Sequence, residues 1–257
     1  MEDRSTDPIE PTITRPPGLE FTVGVALFGL ITMVFMVLQS VLFVQGVVAM
    51  SPELQAKGGG LSLLSDPALR ARMNELLYHG DLAARQALWS GLGALVLLLV
   101  AVRGWKRGRT AGFLGLQRPL TAPTLRWALI FLGLVLVVEV LSHFLDVFHA
   151  PFMDQVLATS TDRMLLLLGV GLMAPIFEEF LLRGLLLGSL RHLADEHLSV
   201  AVSAGIFAVM HMQYSPSVML LVLAMGVVLG YTRTRTGSIW PPVVLHMINN
   251  VLSVTIN

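Results

Sequence analysis

The sequence contains no cysteine, which excludes disulfides, thiolate nucleophiles and any Cys-ligated metal centre. It is poor in charge. Asp, Glu, Lys and Arg make up 13% of its 257 residues, against roughly 25% in ordinary soluble domains. Basic and acidic residues balance at 17 each, so no global basic field suggests a nucleic-acid partner. A basic n-region leading into an apolar core is also missing. The start, "MEDRSTDPIEPTITRPPGLE", is polar, mixed in sign and proline-rich, which does not fit a signal peptide. Residues 1–20 read as a disordered tail before a first span that stays in place as an anchor.

What the chain has in abundance is apolar surface. It is 54% hydrophobic, with a mean hydropathy of +0.74, the composition of an integral membrane protein. A crossing helix needs about 20 mostly apolar residues. Seven hydrophobic segments are present, around 21–44, 87–102, 127–148, 164–187, 198–212, 217–231 and 239–255. The predicted fold class is therefore all-α: a polytopic transmembrane helix bundle of seven or eight spans. An eighth span would come from a split segment or from the polar stretch 51–86, which otherwise reads as one short amphipathic helix at the surface. The expected division is a tail (1–20), N-terminal spans (21–150) with the polar loop at 51–86, and a C-terminal helical core (160–256). No repeat of fixed period is evident.

Lys and Arg set the expected orientation. Arg103, Lys106, Arg107, Arg109, Arg118 and Arg126 follow the second span, and Arg191, Arg233 and Arg235 sit in two later short loops. Such loops face the cytoplasm. Seven spans with a cytoplasmic N-terminus place all three loops inside a multi-pass protein of the cell membrane. Lys57, Arg70, Arg72 and Arg85 then fall outside.

Against this background "APIFEEFLLRGLLL", residues 174–187, is anomalous. Glu178, Glu179 and Arg183 each cost at least ~2.5 kcal/mol to insert, and intramembrane charges tend to be functional. Positions four apart share a helix face, which pairs Glu179 with Arg183. Glu178 lies about 100° round from Glu179 and roughly 140° from Arg183, so it points elsewhere and stays available. Pro175 removes a backbone hydrogen bond, so the helix is expected to kink or restart there. A restart would put Glu178 in a first turn, where the helix dipole favours an ionised carboxylate. The bland alternative is a structural Glu/Arg clamp between helices.

Two further apolar segments carry polar groups. "FAVMH" places Phe207 and His211 on one face, and "WPPVVLHMINN" places His246 and Asn250 on one face after a proline pair suited to a helix start. A lone histidine in such a segment is more often a satisfied core residue than a catalyst. Here two histidines, an amide and a free carboxylate lie in three separate apolar helices, and each must find a partner within the bundle. A carboxylate and a histidine can activate water as general base. A second histidine and an asparagine can donate to the oxyanion of a tetrahedral intermediate. No Ser or Thr is obviously paired for covalent attack. The residues by themselves point to water-mediated acyl hydrolysis within a membrane.

"EEFLLRG", "FAVMH" and "HMINN" correspond to Glu-Glu-x-x-x-Arg, Phe-x-x-x-His and His-x-x-x-Asn motifs. In this order they resemble the CPBP family of intramembrane proteases. That family includes the type II CAAX prenyl endopeptidases and bacteriocin-processing or immunity-associated membrane proteins. The resemblance covers residues 160–256; "LGLQRP" before the third span is also similar, more weakly. It implies an all-helical bundle whose polar cavity opens to the membrane or the cytosol. It implies Glu178 as the water-activating carboxylate, His211 as its partner on the water, and His246 with Asn250 as oxyanion donors. Glu179 and Arg183 would support the site. The substrate would be a membrane-associated peptide or protein, prenylated or not. Metal-free chemistry is favoured. Zinc is the alternative, with Glu178, His211 and His246 as the available ligands of a three-ligand open site.

Other features admit other functions. Glu139, Ser142, His143 and Asp146 fall on one face of the third span, which suits either a cavity wall near the helix end or a proton relay. A proton-coupled transporter and a non-catalytic scaffold or immunity protein are therefore the competing expectations. Gly169, Gly171, Ala174, Gly226 and Gly230 would allow close helix approach. One difficulty concerns depth. In a regular seven-span arrangement His211 falls towards the outer end of its span and His246 towards the inner end of its own, so a shared site requires a tilted or broken helix.

Overall fold

The computed structural model describes residues 16–58 and 60–255. Of the expected tail, residues 1–15 lie outside the described residues. Residues 17–20 are already helical, because Pro17 at the first position opens α1 (Pro17–Ala49). The order continues with α2 (Pro52–Ala56), α3 (Pro67–Glu75), α4 (Gly80–Lys106), α5 (Thr110–Leu114), α6 (Thr121–Phe144) and α7 (Pro151–Thr159). Next come α8 (Arg163–Leu190), α9 (Glu196–Val209), α10 (Pro216–Thr236) and α11 (Trp240–Thr255). No strand occurs among the described residues. The bundle is all-helical.

Helix starts follow local chemistry. Asp66, Asp162 and Asp195 accept hydrogen bonds from Ala68, Leu165 and Leu198 backbone N–H groups, at 2.8, 2.9 and 2.8 Å; each satisfies a donor that the first turn leaves unpaired. Lys57 and the Ala68 N–H hold the Asp66 carboxyl below its ordinary pKa.

Among the described residues five helices are long and apolar enough to cross a membrane: α1, α4 with its extension to Leu114, α6, α8 and α10. The remaining two apolar segments form the shorter α9 (14 residues) and α11 (16 residues). At 1.5 Å per residue α9 is about 21 Å long, less than the ~30 Å of a hydrocarbon core. The stretch 51–86 holds more structure than one amphipathic helix. α2, a 3₁₀ turn at Leu61–Ser65 and α3 pack Leu54, Leu63, Leu69 and Leu76 against Phe43 and Val47 of α1.

The buried centre is α8. Half of its most apolar window is buried, compared with 6% for α6. Phe177, Phe180, Leu181 and Leu185 pack there against Ile31, Ala94, Leu98 and Val243. Pro175 does not restart this helix. The backbone stays helical through Met173, Ala174 and Glu179, and two π-helical stretches, Leu167–Met173 and Phe180–Leu186, absorb the irregularity. A wider π turn moves the carbonyl with which the proline ring would collide. Glu178 is therefore not a first-turn residue, and the dipole argument for its ionisation does not apply.

Small residues set the helix spacings. A Cβ on Gly169 would lie 2.3 Å from the Ala84 carbonyl oxygen of α4, and one on Gly226 would meet Phe207 and Ala204 of α9 at 3.0 and 3.2 Å. At the opposite extreme, Gly133 of α6 has nothing within 4 Å. Gly169→Ala should therefore lower stability by about 1–3 kcal/mol, the usual cost of overpacking. Gly133→Ala should be neutral or stabilising through helix propensity. Thermal unfolding of the two variants in detergent measures the contrast, and equal midpoints would refute the assigned α4–α8 approach.

Candidate active site

The central charge of the bundle is Arg183, wholly buried on α8. Its Nη1 donates to Glu179 Oε1 at 3.0 Å, one helical turn back, and its Nη2 donates to the Gly226 carbonyl of α10 at 3.0 Å. The guanidinium also lies over the Phe207 ring of α9, 4.6 Å from its centroid. One cation thus touches three helices, and the absence of a side chain at Gly226 lets its backbone come close enough.

Glu179 is equally buried and serves a second partner. His246 Nδ1 lies 3.0 Å from the same Glu179 Oε1. A carboxylate accepts, so Nδ1 carries the proton. The other nitrogen, Nε2, faces Glu178 Oε2 at 3.8 Å, too far for a hydrogen bond. Glu178 is 18% exposed, while Glu179 is fully enclosed. Among the described residues neither Glu178 Oε2 nor Glu179 Oε2 has a hydrogen-bond partner. Glu179 pairs with Arg183 at the four-residue spacing, and Glu178 lies outside that pair. The bridging of both glutamates by His246 was not legible from helix periodicity.

The remaining motif residues converge with specific differences. His211 lies just past the end of α9, where its Nδ1 pairs with the Phe207 carbonyl at 2.8 Å; a carbonyl accepts, so Nδ1 donates and Nε2 is left open. His211 is not within 4.0 Å ion-pairing distance of Glu178, but Phe207 bridges the two histidines, with ring centroids 4.6 Å from His211 and 5.4 Å from His246. Asn250 Nδ2 donates to the Val170 carbonyl in the first π-helical stretch at 3.0 Å, and Asn250 Oδ1 accepts from Asn249 at 3.3 Å. One amide hydrogen of Asn250 is thus engaged and one remains.

The depth difficulty resolves through the short α9. Ala204 lies against Gly226 and Val200 against Gly230, so the antiparallel α9, ending at Val209, stops about five residues, or roughly 7 Å, into α10. Residues 210–215 then continue as turns. Irregular backbone at such a level is tolerated where it lies within protein or borders water. That turn leaves His211 and the α11 histidine in contact with the same Phe207 ring.

The polar stripe of the third span does not join this group. Glu139, His143 and Asp146 are exposed, Asp146 lies beyond the end of α6, and none of the three forms an ion pair among the described residues. Ser142 donates to the Phe148 carbonyl at 3.4 Å. This is the helix-end arrangement, not a relay into the site. Nor do Glu178, His211 and His246 gather as zinc ligands: among the described residues no group of three or more His, Asp or Glu side chains could hold a metal ion. Sequence reasoning missed Tyr214, whose ring stacks on His211 at 6.1 Å with planes 9° apart. Its only sequence signal was its position in the helix-breaking "MQYSP".

Fold and site together define a multi-pass helical membrane protein with a buried Glu-Arg-His cluster. Residues 160–252 match the family described as Rce1-like, type II CAAX prenyl endopeptidase Rce1-like. That match supports membership of the CPBP family, and the family is one of proteases. No curated protein and no solved structure matches the chain.

The Glu179–Arg183 pair should behave as a coupled unit. Removing one partner leaves a buried charge uncompensated, typically at 3–5 kcal/mol. Glu179→Gln and Arg183→Met should each be strongly destabilising, and the double variant should recover part of the loss. Additive losses in denaturant unfolding would show that the two are not coupled.

Proposed function

We propose that the protein is an intramembrane endopeptidase that cleaves a membrane-associated peptide or protein with a water activated by Glu178. The observation that carries this reading is the asymmetry of the glutamate pair. Both Oε2 atoms are buried without a hydrogen-bond partner among the described residues, but Glu179 Oε1 is held by Arg183 and His246, whereas no protein group among the described residues donates to Glu178. A carboxylate without a protein donor is suited to take a proton from water.

In this mechanism a water between Glu178 and His211 gives its proton to Glu178, and the resulting hydroxide adds to the scissile carbonyl carbon. His211, anchored at Nδ1 by Phe207, orients that water through Nε2. The new oxyanion receives hydrogen bonds from the remaining amide hydrogen of Asn250 and from His246 Nε2–H, when the imidazole carries both protons. The proton on Glu178 then passes to the leaving amine as the C–N bond breaks. Glu179 holds His246 in place, and Arg183 offsets the charge of Glu179. No step in this mechanism runs through a metal. With the basic loops in the cytoplasm, substrate would reach the site from the membrane or from the opposite face, since His211 belongs to the α9–α10 turn; this differs from the opening to the membrane or the cytosol that the family resemblance implies.

Glu178→Gln should abolish proteolysis with little change in expression or unfolding temperature, because the amide preserves shape but takes no proton. Turnover within tenfold of wild type would remove Glu178 as the base. Asn250→Ala should lower kcat by roughly 10²–10³ with a modest change in KM, the pattern of a lost oxyanion donor. EDTA and phenanthroline should leave activity intact. Stoichiometric zinc in the purified protein, with activity following its removal and return, would overturn the metal-free mechanism.

A further inference from the structure

A ladder of aromatic rings leads away from the glutamates. Beyond His211 and its stacked neighbour Tyr214, Phe152 of α7 meets Tyr214 edge to face, with centroids 5.4 Å apart and planes at 88°. Tyr78, in the turn before α4, meets Phe152 at 5.2 Å and 90°. These three rings, with Gln155 of α7 and Gln213 beside Tyr214, line a cavity of about 260 Å³. Its walls come from connections at the end of the bundle away from the basic loops. None of its lining residues is a motif residue. Tyr214 is nevertheless shared: one neighbour is His211, and the ring lies within electrostatic reach of Glu178.

We propose that this cavity is a specificity subsite that takes one bulky aromatic side chain of the peptide substrate, beside the bond that Glu178 attacks. The inference rests on the endopeptidase reading and adds to it a class of substrate. Size is the first ground. The cavity is smaller than the roughly 300–1,000 Å³ of pockets for drug-sized ligands, so it suits one side chain better than a long lipid tail. Shape is the second. The lining rings already stand edge to face, and a further ring can continue that favoured packing. Chemistry is the third. The Gln155 and Gln213 amides can each donate and accept, which serves a peptide group or a phenol and offers nothing to a hydrocarbon chain.

The test uses the purified full-length protein in detergent. Quenched decapeptides carrying Phe or Ala at each position in turn should reveal one position where kcat/KM differs by about tenfold or more, with Glu178→Gln as the blank. Gln155→Trp fills the cavity and should erase that ratio. A peptide with benzoylphenylalanine at the same position should photolabel segments containing Tyr78, Phe152 or Tyr214, in wild type and in Glu178→Gln alike. This measurement needs neither turnover nor a folded cavity variant. Cleavage indifferent to Phe or Ala, or photolabel confined to other segments, overturns the subsite and leaves the endopeptidase reading standing. Photolabel in the cavity without cleavage of any peptide supports peptide binding there and overturns the endopeptidase reading instead. Loss of photolabel to an isoprenoid alcohol, but not to the Phe peptide, would assign the cavity to a lipid tail and overturn the proposal.

Discussion

A guanidinium with no access to water must be matched by the protein around it, and Arg183 imposes that constraint on three helices directly and on a fourth through Glu179. It fixes Glu179 within α8, the Gly226 carbonyl in α10 and the Phe207 ring in α9. Glu179 in turn fixes His246 in α11. Desolvation makes each contact costly to lose, because a buried charge without a partner has no water to fall back on. The arrangement therefore sets helix spacing and orientation as well as local electrostatics.

Glu178 is the carboxylate that this network leaves over. Glu178 is adjacent in sequence to a locked glutamate, yet the helical twist turns it towards a different environment. His246 reaches both carboxylates with its two nitrogens, bonding one and merely facing the other. The same side chain can thus be held rigidly and still present a nitrogen to a reacting molecule. Preorganisation of this sort lets hydrogen-bond donors act without reorganising as charge develops. The π-helical stretches on either side of the glutamates belong to the same design, since the first exposes the Val170 carbonyl that positions Asn250.

The other end of the bundle is built separately. Lys106 at the end of α4 pairs with Glu20 near the start of α1 and lies over the Trp105 and Phe113 rings, 3.7 and 4.1 Å from their centroids. The stretch "LGLQRP" docks beside the α10–α11 turn: Gly115 accepts from the Ile239 N–H at 2.8 Å, and Gln117 donates to the Gly237 carbonyl at 2.6 Å. Gly115, in the left-handed region at φ 75°, leaves room for the Arg233 guanidinium that a Cβ would strike at 2.3 Å. This docking fixes where α11 begins, and hence the register at which His246 meets Glu179.

Much of this was written in local sequence. Long apolar runs determined the helical class, because a membrane leaves a backbone few other ways to satisfy its polar groups. The four-residue spacing determined the Glu179–Arg183 pair and set Glu178 apart, since both follow from helical twist alone. Glycines at 169 and 226 announced close approaches without naming the neighbours. Other features depended on residues far apart in the chain. Which helix supplied a second partner for Glu179, why His211 and His246 meet the same Phe207 ring, and that Tyr214 backs His211 were decided only in the folded bundle. Pro175 illustrates the boundary. Its missing N–H is a local fact, but whether the helix restarts or widens depends on the packing around it, and α8, enclosed by its neighbours, widens. Periodicity describes one helix at a time; the site is a property of how four of them meet.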